Sequence, residues 1–157
     1  MIKKIGYKKR DVFRMLILNG NFKEAYFEHA INMQYKELSN EVIGLGFDVQ
    51  NIMVYAFACY LITQNDCIDY HYLAFEIMCH PLCFIDGAYS VALYHNKRVL
   101  EIEPDNIGAM EMMLFFNGLN RPDRCVSDDE AKQWIEKILK KDPQNEIALN
   151  HLAELNI

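Results

Sequence analysis

The sequence predicts an all-α protein, a single helical domain spanning residues 1–157, with about eight helices stacked as antiparallel hairpins. Three observations lead there. Apolar residues recur at helical spacing in nearly every segment, and no segment alternates as a half-buried strand would. The breaks between segments carry turn residues: Asn19-Gly20-Asn21, Gln64-Asn65-Asp66, His80-Pro81, Pro104 and Pro143. The composition, 52% hydrophobic and 24% charged, is that of a globular chain. A domain of this length buries roughly 70% of its unfolded surface, enough for a sizeable core.

The first helix is expected from about Lys8 to Leu18. The second follows with Phe22, Ala25, Tyr26, His29, Ala30 and Met33 on one stripe. Residues 36–47 read as a loop or a frayed helix, because Gly44 and Gly46 weaken the pattern. The third helix, about Asp48 to Thr63, is apolar nearly all round and belongs at the centre. The turn at 64–66 is expected to cap a fourth helix, about Cys67 to Cys79, with Asp66 and Asp69 as capping acids. His80-Pro81 ends it, because proline restricts the residue before it. A fifth helix is expected over about Cys83 to Ile102 and a sixth over Asn106 to Phe116. Ser127-Asp128-Asp129-Glu130 is a capping box and opens the seventh. There Ala131, Trp134, Ile135, Ile138 and Leu139 form an apolar stripe, with Trp134 expected as a core anchor. A short eighth helix runs from about Asn145 to Leu155.

Charge is unevenly spread over a net −6. Residues 1–38 carry +4 and residues 97–157 carry −4. Residues 39–96 contain no Lys or Arg and six acids: Glu41, Asp48, Asp66, Asp69, Glu76 and Asp86. A basic partner is attracted to such a stretch and nucleic acid is repelled. No apolar run approaches the ~20 residues that span a bilayer. The longest, Ile52 to Ile62, has 11. The basic N-terminus lacks the apolar core of a secretory signal, and five cysteines, an odd number, then read as free thiols in a reducing cytoplasm.

The nucleotide-binding glycine motifs, H-E-x-x-H and G-x-S-x-G are absent. Cys79, His80 and Cys83, with Cys67 and His71 a helix earlier, form a loose Cys/His cluster. Zinc needs four convergent ligands, and thiols on helix faces beside a turn are the ordinary alternative, so no metal and no cofactor is expected. His29 and His95 sit on apolar stripes and read as core histidines. The basic N-terminus reads as a solvated helix start, and the aromatics fall at core spacing.

The clearest internal repeat aligns Glu103-Pro104-Asp105-Asn106-Ile107-Gly108-Ala109-Met110 with Asp142-Pro143-Gln144-Asn145-Glu146-Ile147-Ala148-Leu149, 39 residues on. Proline ends one helix, asparagine caps the next, and a small alanine lets the two approach. This junction resembles the boundary between tetratricopeptide repeats, over about residues 84–155. The repeat length departs from the usual 34, and no Trp-x-x-Leu-Gly-x-x-Tyr appears. The resemblance implies a tetratricopeptide-like half over 81–157, and Asn19-Gly20-Asn21, joining two helices, is compatible with N-terminal hairpins over 1–80.

The run Phe84-Ile85-Asp86-Gly87-Ala88-Tyr89-Ser90-Val91-Ala92-Leu93-Tyr94-His95, with Glu103-Pro104-Asp105-Asn106, Leu114-Phe115-Phe116 and Ser127-Asp128-Asp129-Glu130-Ala131, resembles small helical proteins that accompany bacterial polymorphic toxins. The resemblance implies an immunity protein of a contact-dependent growth inhibition system, which binds a cognate toxin domain and blocks it. A nuclease toxin must be basic to hold phosphate, so the acidic segment fits it, with Asp66, Asp69, Glu76 and Asp86 as the expected binding residues. Two alternatives stand beside this: a tetratricopeptide-like adaptor or regulator with another protein partner, and an enzyme using His71, His80 or His95.

Overall fold

The computed structural model describes residues 9–120 and 122–155. The chain divides into two compact units, residues 1–82 and 83–157. Among the described residues both are helical, with no strand.

The first unit holds α1 (Lys9–Leu18), α2 (Phe22–Glu28), a 3-10 turn (Ala30–Asn32), α3 (Tyr35–Val49), α4 (Met53–Gln64) and α5 (Ile68–Cys79). Its centre is α4, which packs against α5 most extensively and also against α1, α2 and α3. Val54, Phe57, Ala58 and Leu61 are fully buried along α4. From α1, Phe13 meets Phe57 edge-on, with ring centroids 5.8 Å apart. The turn after α1 is a Schellman motif. Gly20 N–H donates to Ile17 O at 3.1 Å, and Asn21 N–H to Leu16 O at 2.9 Å. Gly20 takes the left-handed φ of 76° that this motif requires.

Three expected boundaries move. The second helix is shorter than its stripe, breaking at His29, where φ is −130°. Ala25, His29 and Ala30 stay buried through the 3-10 turn that follows. The segment 36–47, expected as a loop or frayed helix, is the interior of the 15-residue α3, which takes Asp48 and Val49 from the expected third helix. Gly46 is there because of a neighbour. A Cβ at this position would lie 2.9 Å from Cγ and 3.1 Å from Cβ of Pro81, a buried ring that cannot rotate away. The glycine that weakens α3 locally lets the chain after α5 close against it.

The second unit holds α6 (Ala88–Ile102), α7 (Ile107–Gly118), α8 (Asp128–Lys141) and α9 (Glu146–Glu154). α6 begins five residues later than expected, after a turn that ends at Gly87, where φ is 81°. α7 packs on α6 and α8, and α9 on α7 and α8. The two aligned junctions share one geometry. Asn106 Oδ1 accepts from Ala109 N–H at 2.9 Å, and Asn145 Oδ1 from Ala148 N–H at 3.0 Å. Both alanines are fully buried. Glu103 N–H donates to Val99 O and Asp142 N–H to Ile138 O, each at 2.8 Å. The capping box begins as expected, with Glu130 N–H donating to Ser127 Oγ at 3.2 Å.

Buried amides tie these helices. Asn96 Nδ2 donates to Ala109 O at 2.9 Å, joining α6 to α7. Asn117 Nδ2 donates to Val126 O at 3.0 Å, while Asn117 Oδ1 meets His151 Nε2 at 2.6 Å, joining α7 to the following loop and to α9. Trp134 is not the core anchor its stripe suggested. Ala131, Ile135 and Ile138 are the buried residues of α8, and Trp134 is half-buried with Lys137 Nζ 4.0 Å from its ring centroid. Its ring turns to the flank of the stripe, where the lysine covers one side.

Two glycines on α3 should respond oppositely to alanine. Gly44→Ala places its Cβ 3.7 Å from a movable Arg14 nitrogen and should stabilise by roughly 0.5–1 kcal/mol, the propensity gain. Gly46→Ala gains the same propensity but overpacks Pro81 and should destabilise by about 1–3 kcal/mol. Urea denaturation of the two variants checks the sign.

Candidate acidic and aromatic interface

The acids of residues 39–96 fall into three groups. Two are neutralised by the N-terminal helix. Arg10 Nε reaches Glu41 Oε2 at 2.7 Å, and Arg14 Nη1 reaches Asp48 Oδ2 at 2.6 Å. Arg14 Nε also lies 3.5 Å from Glu41. The arginines stand on α1 and the carboxylates one helical turn and more apart on α3, so the pairs hold the two helices together at the surface. Three acids, Asp66, Asp69 and Glu76, gather on and just before α5. The sixth, Asp86, belongs to the other unit. There it stands exposed before Gly87 and lines, with Asp123, Cys83 and Cys125, a cavity of about 630 Å³.

On α5 the positions Asp69, Tyr72 and Glu76 are spaced three and four residues apart and share one face. Tyr35, the first residue of α3, stands against that face because α3 packs on α5. Burial first, then the carboxylates of Asp69 and Glu76, push its phenol from the ordinary 10 up to about 12. The phenol is therefore a neutral donor near pH 7. Tyr70 is pushed up in the same direction by burial, then by Tyr26, Cys67 and Asp69. Tyr26 stacks edge-on with Tyr60 at 6.3 Å between centroids. The result is a surface of carboxylates bordered by half-buried tyrosines.

Asp66 does not stand at the cap position expected for it. The N-cap of α5 is Cys67, whose side chain makes no capping bond, and Asp69 sits in the first turn. Asp66 Oδ1 instead accepts from Nε2 of the buried His71 at 2.8 Å. Glu76 lies 3.0 Å from Nε2 of His80, one turn on at the helix end.

Of the three histidines considered for catalysis, the two in the first unit stand apart. His71 and His80 lie nine residues apart along α5, roughly 13 Å of axial rise. His95 is buried in α6 of the other unit, edge-on to Tyr94 with centroids 5.1 Å apart. Among the described residues no group of three or more His, Cys, Asp and Glu is arranged to hold a metal ion, and the five cysteines are free thiols. No described helix is long and apolar enough to cross a membrane. Acids of the second unit are paired within it: Asp105 with Lys141 at 2.6 Å, Asp128 with Arg124, and Asp129 with Lys132 at 3.8 Å. The bond from Asn117, and then the charge of Arg124, lower the Asp128 carboxyl below its usual range. Comparison with protein-family models, with characterised proteins and with solved structures finds no match.

A spectrophotometric titration of the tyrosines should show one phenol ionising near pH 12. Tyr35→Phe should remove it, and Asp69→Asn with Glu76→Gln should move it back toward 10. The folded state keeps a proton that the unfolded chain loses near pH 10, so this group's contribution to stability is complete below pH 10 and is lost as pH rises toward 12. The same decline should be shallower in Tyr35→Phe.

Proposed function

We propose that this chain is a non-enzymatic protein-binding module whose first unit takes up a basic protein domain on the α5 face. The observation that carries this reading is the grouping of Asp66, Asp69 and Glu76 with Tyr70 and Tyr72, all within the 58 residues that contain no Lys or Arg, and with Tyr35 from α3. Carboxylates steer a cationic partner toward the surface. Tyrosines, rigid and amphipathic, supply contact area at small entropic cost. Within that class, the resemblance to proteins that accompany polymorphic toxins supports the specific reading of a cytoplasmic immunity protein. Such a protein would cover a basic toxin domain, a nuclease, before it reaches its target. Fast capture serves that role, and charge complementarity raises association rate more than it raises affinity.

The experiment is association kinetics with the product of the neighbouring upstream gene, which this reading expects to carry the toxin domain. The variant Asp69→Asn/Glu76→Gln leaves Asp66 in place, because its loss would strip buried His71 of a partner. It should slow association about three- to tenfold at low salt and change dissociation less. The parent's on-rate should itself fall as the Debye length shortens from ~30 Å at 0.01 M to ~10 Å at 0.1 M salt. Equal association by parent and variant at every salt concentration would exclude the α5 face. Asp86→Asn, altered separately, tests the acid that the fold assigns to the other unit.

A further inference from the structure

We propose that the cleft where α6, α7 and α8 meet binds an acidic peptide segment, one that carries an aliphatic or aromatic side chain beside its carboxylates. The cleft encloses about 620 Å³, within the range of sites that take small molecules or single side chains of a peptide. Leu100, Met110, Pro104 and Trp134 give it an apolar lining, and Lys137, Lys140 and Lys141 stand with them.

The lysines set the partner's charge. Most described cations of this unit have a carboxylate. Lys97 pairs with Glu130, Arg98 with Glu101, Arg124 with Asp128, Lys132 with Asp129, and Lys141 with Asp105. Lys137 and Lys140 have no ion pair among the described residues, and both line this cleft. Asp105, the single carboxylate of the lining, is engaged by Lys141 at 2.6 Å. Two uncompensated ammonium groups therefore stand over an apolar floor, in a segment whose net charge is −4 over residues 97–157. An anion completes them.

The floor sets the rest of the partner's chemistry. A phosphate or a nucleic-acid backbone satisfies lysines but leaves Leu100, Pro104 and the open side of the Trp134 ring uncovered. Trp134 is half-buried, and Lys137 holds one side of its ring at 4.0 Å. A side chain on the floor with flanking carboxylates on Lys137 and Lys140 covers both. This inference rests on the second unit and is independent of the α5 face.

Trp134 is the chain's one tryptophan, so its emission reports on this cleft alone. The full chain would be titrated with capped octapeptides that place acidic residues around one Phe or Leu. The same peptides with Lys in place of the acids, inorganic phosphate and a single-stranded oligonucleotide would be run in parallel. A saturable emission change with the acidic peptides alone is the expected result. The exposed double variant Lys137→Glu/Lys140→Glu, with circular dichroism unchanged, should weaken it about tenfold or more. Trp134→Phe, followed with a labelled acidic peptide, should also bind more weakly. Four outcomes would overturn the proposal. The acidic peptides give no saturable response up to millimolar concentration; the double variant binds them as the parent does; phosphate or oligonucleotide competes equally well; or the emission changes with protein concentration alone as the mass doubles, which makes a second copy the occupant.

Discussion

One helix without a polar face organises the first unit. An amphipathic helix needs cover on one side only, but α4 reads Met53-Val54-Tyr55-Ala56-Phe57-Ala58-Cys59-Tyr60-Leu61-Ile62 and has apolar surface in every direction. At about 25 cal/mol per Å² of apolar surface removed from water, exposing any quarter of it is costly. The chain meets this by packing α1, α2, α3 and α5 around it. Other features of the unit follow. Gly46 lets the chain after α5 approach α3 closely, and the Arg10 and Arg14 pairs hold α1 against α3 at the surface. Burial also reaches the rim of the core. Cys59, on α4, is half-buried and its thiol is pushed up by desolvation.

The same packing decides which carboxylates reach a partner. A count along the sequence weighs all six acids of residues 39–96 equally. Folding does not, because α1 brings arginines from outside the segment onto Glu41 and Asp48. What remains in the first unit is grouped by α5, where a spacing of seven residues keeps Asp69 and Glu76 on one face and Tyr72 between them. Tyr35 is part of that surface only because α3 continues unbroken to Val49 and lies on α5.

How much of this was legible can be judged residue by residue. The caps were: Asn106, Asn145 and Ser127 bond the amides three residues on, because a cap is a local event written in four consecutive residues. The 39-residue echo was legible for the same reason, and its two junctions share their cap bonds and the backbone bonds that end the preceding helix. Residues 36–47 were not, since a glycine lowers helix propensity whatever lies across from it, and the Pro81 ring that makes Gly46 necessary is 35 positions away. Trp134 misled in a related way. Its place on the stripe was read correctly, but a stripe has edges, and the large ring at the edge stays only partly covered while small Ala131 and branched Ile135 and Ile138 fill the contact. Tyr35 carried no local signal at all. The spacing of Lys137 and Lys140, three residues apart and three beyond Trp134, was visible, but only the tertiary pairing of the other cations makes these two stand out.

Net charge is therefore a poor guide to what such a chain attracts at contact. At physiological ionic strength the Debye length is about 8 Å, shorter than either unit is wide, so each face acts on a partner largely by itself. Far from the surface a partner meets an average of −6. Close in, it meets either the carboxylates of α5 or the two lysines beside Trp134. For a basic partner, long-range and short-range forces on the α5 face have the same sign, so capture is fast and weakens steadily as salt screens it. For an acidic segment entering the lysine cleft they have opposite signs: the approach is repelled while the contact is held. Salt then screens the repulsion first, because it acts over the longer distance, and the apolar contacts with Leu100, Pro104 and Trp134 are untouched by it. The two surfaces thus differ in kind as well as in sign, one suited to rapid encounter and the other to retention of a segment already brought near.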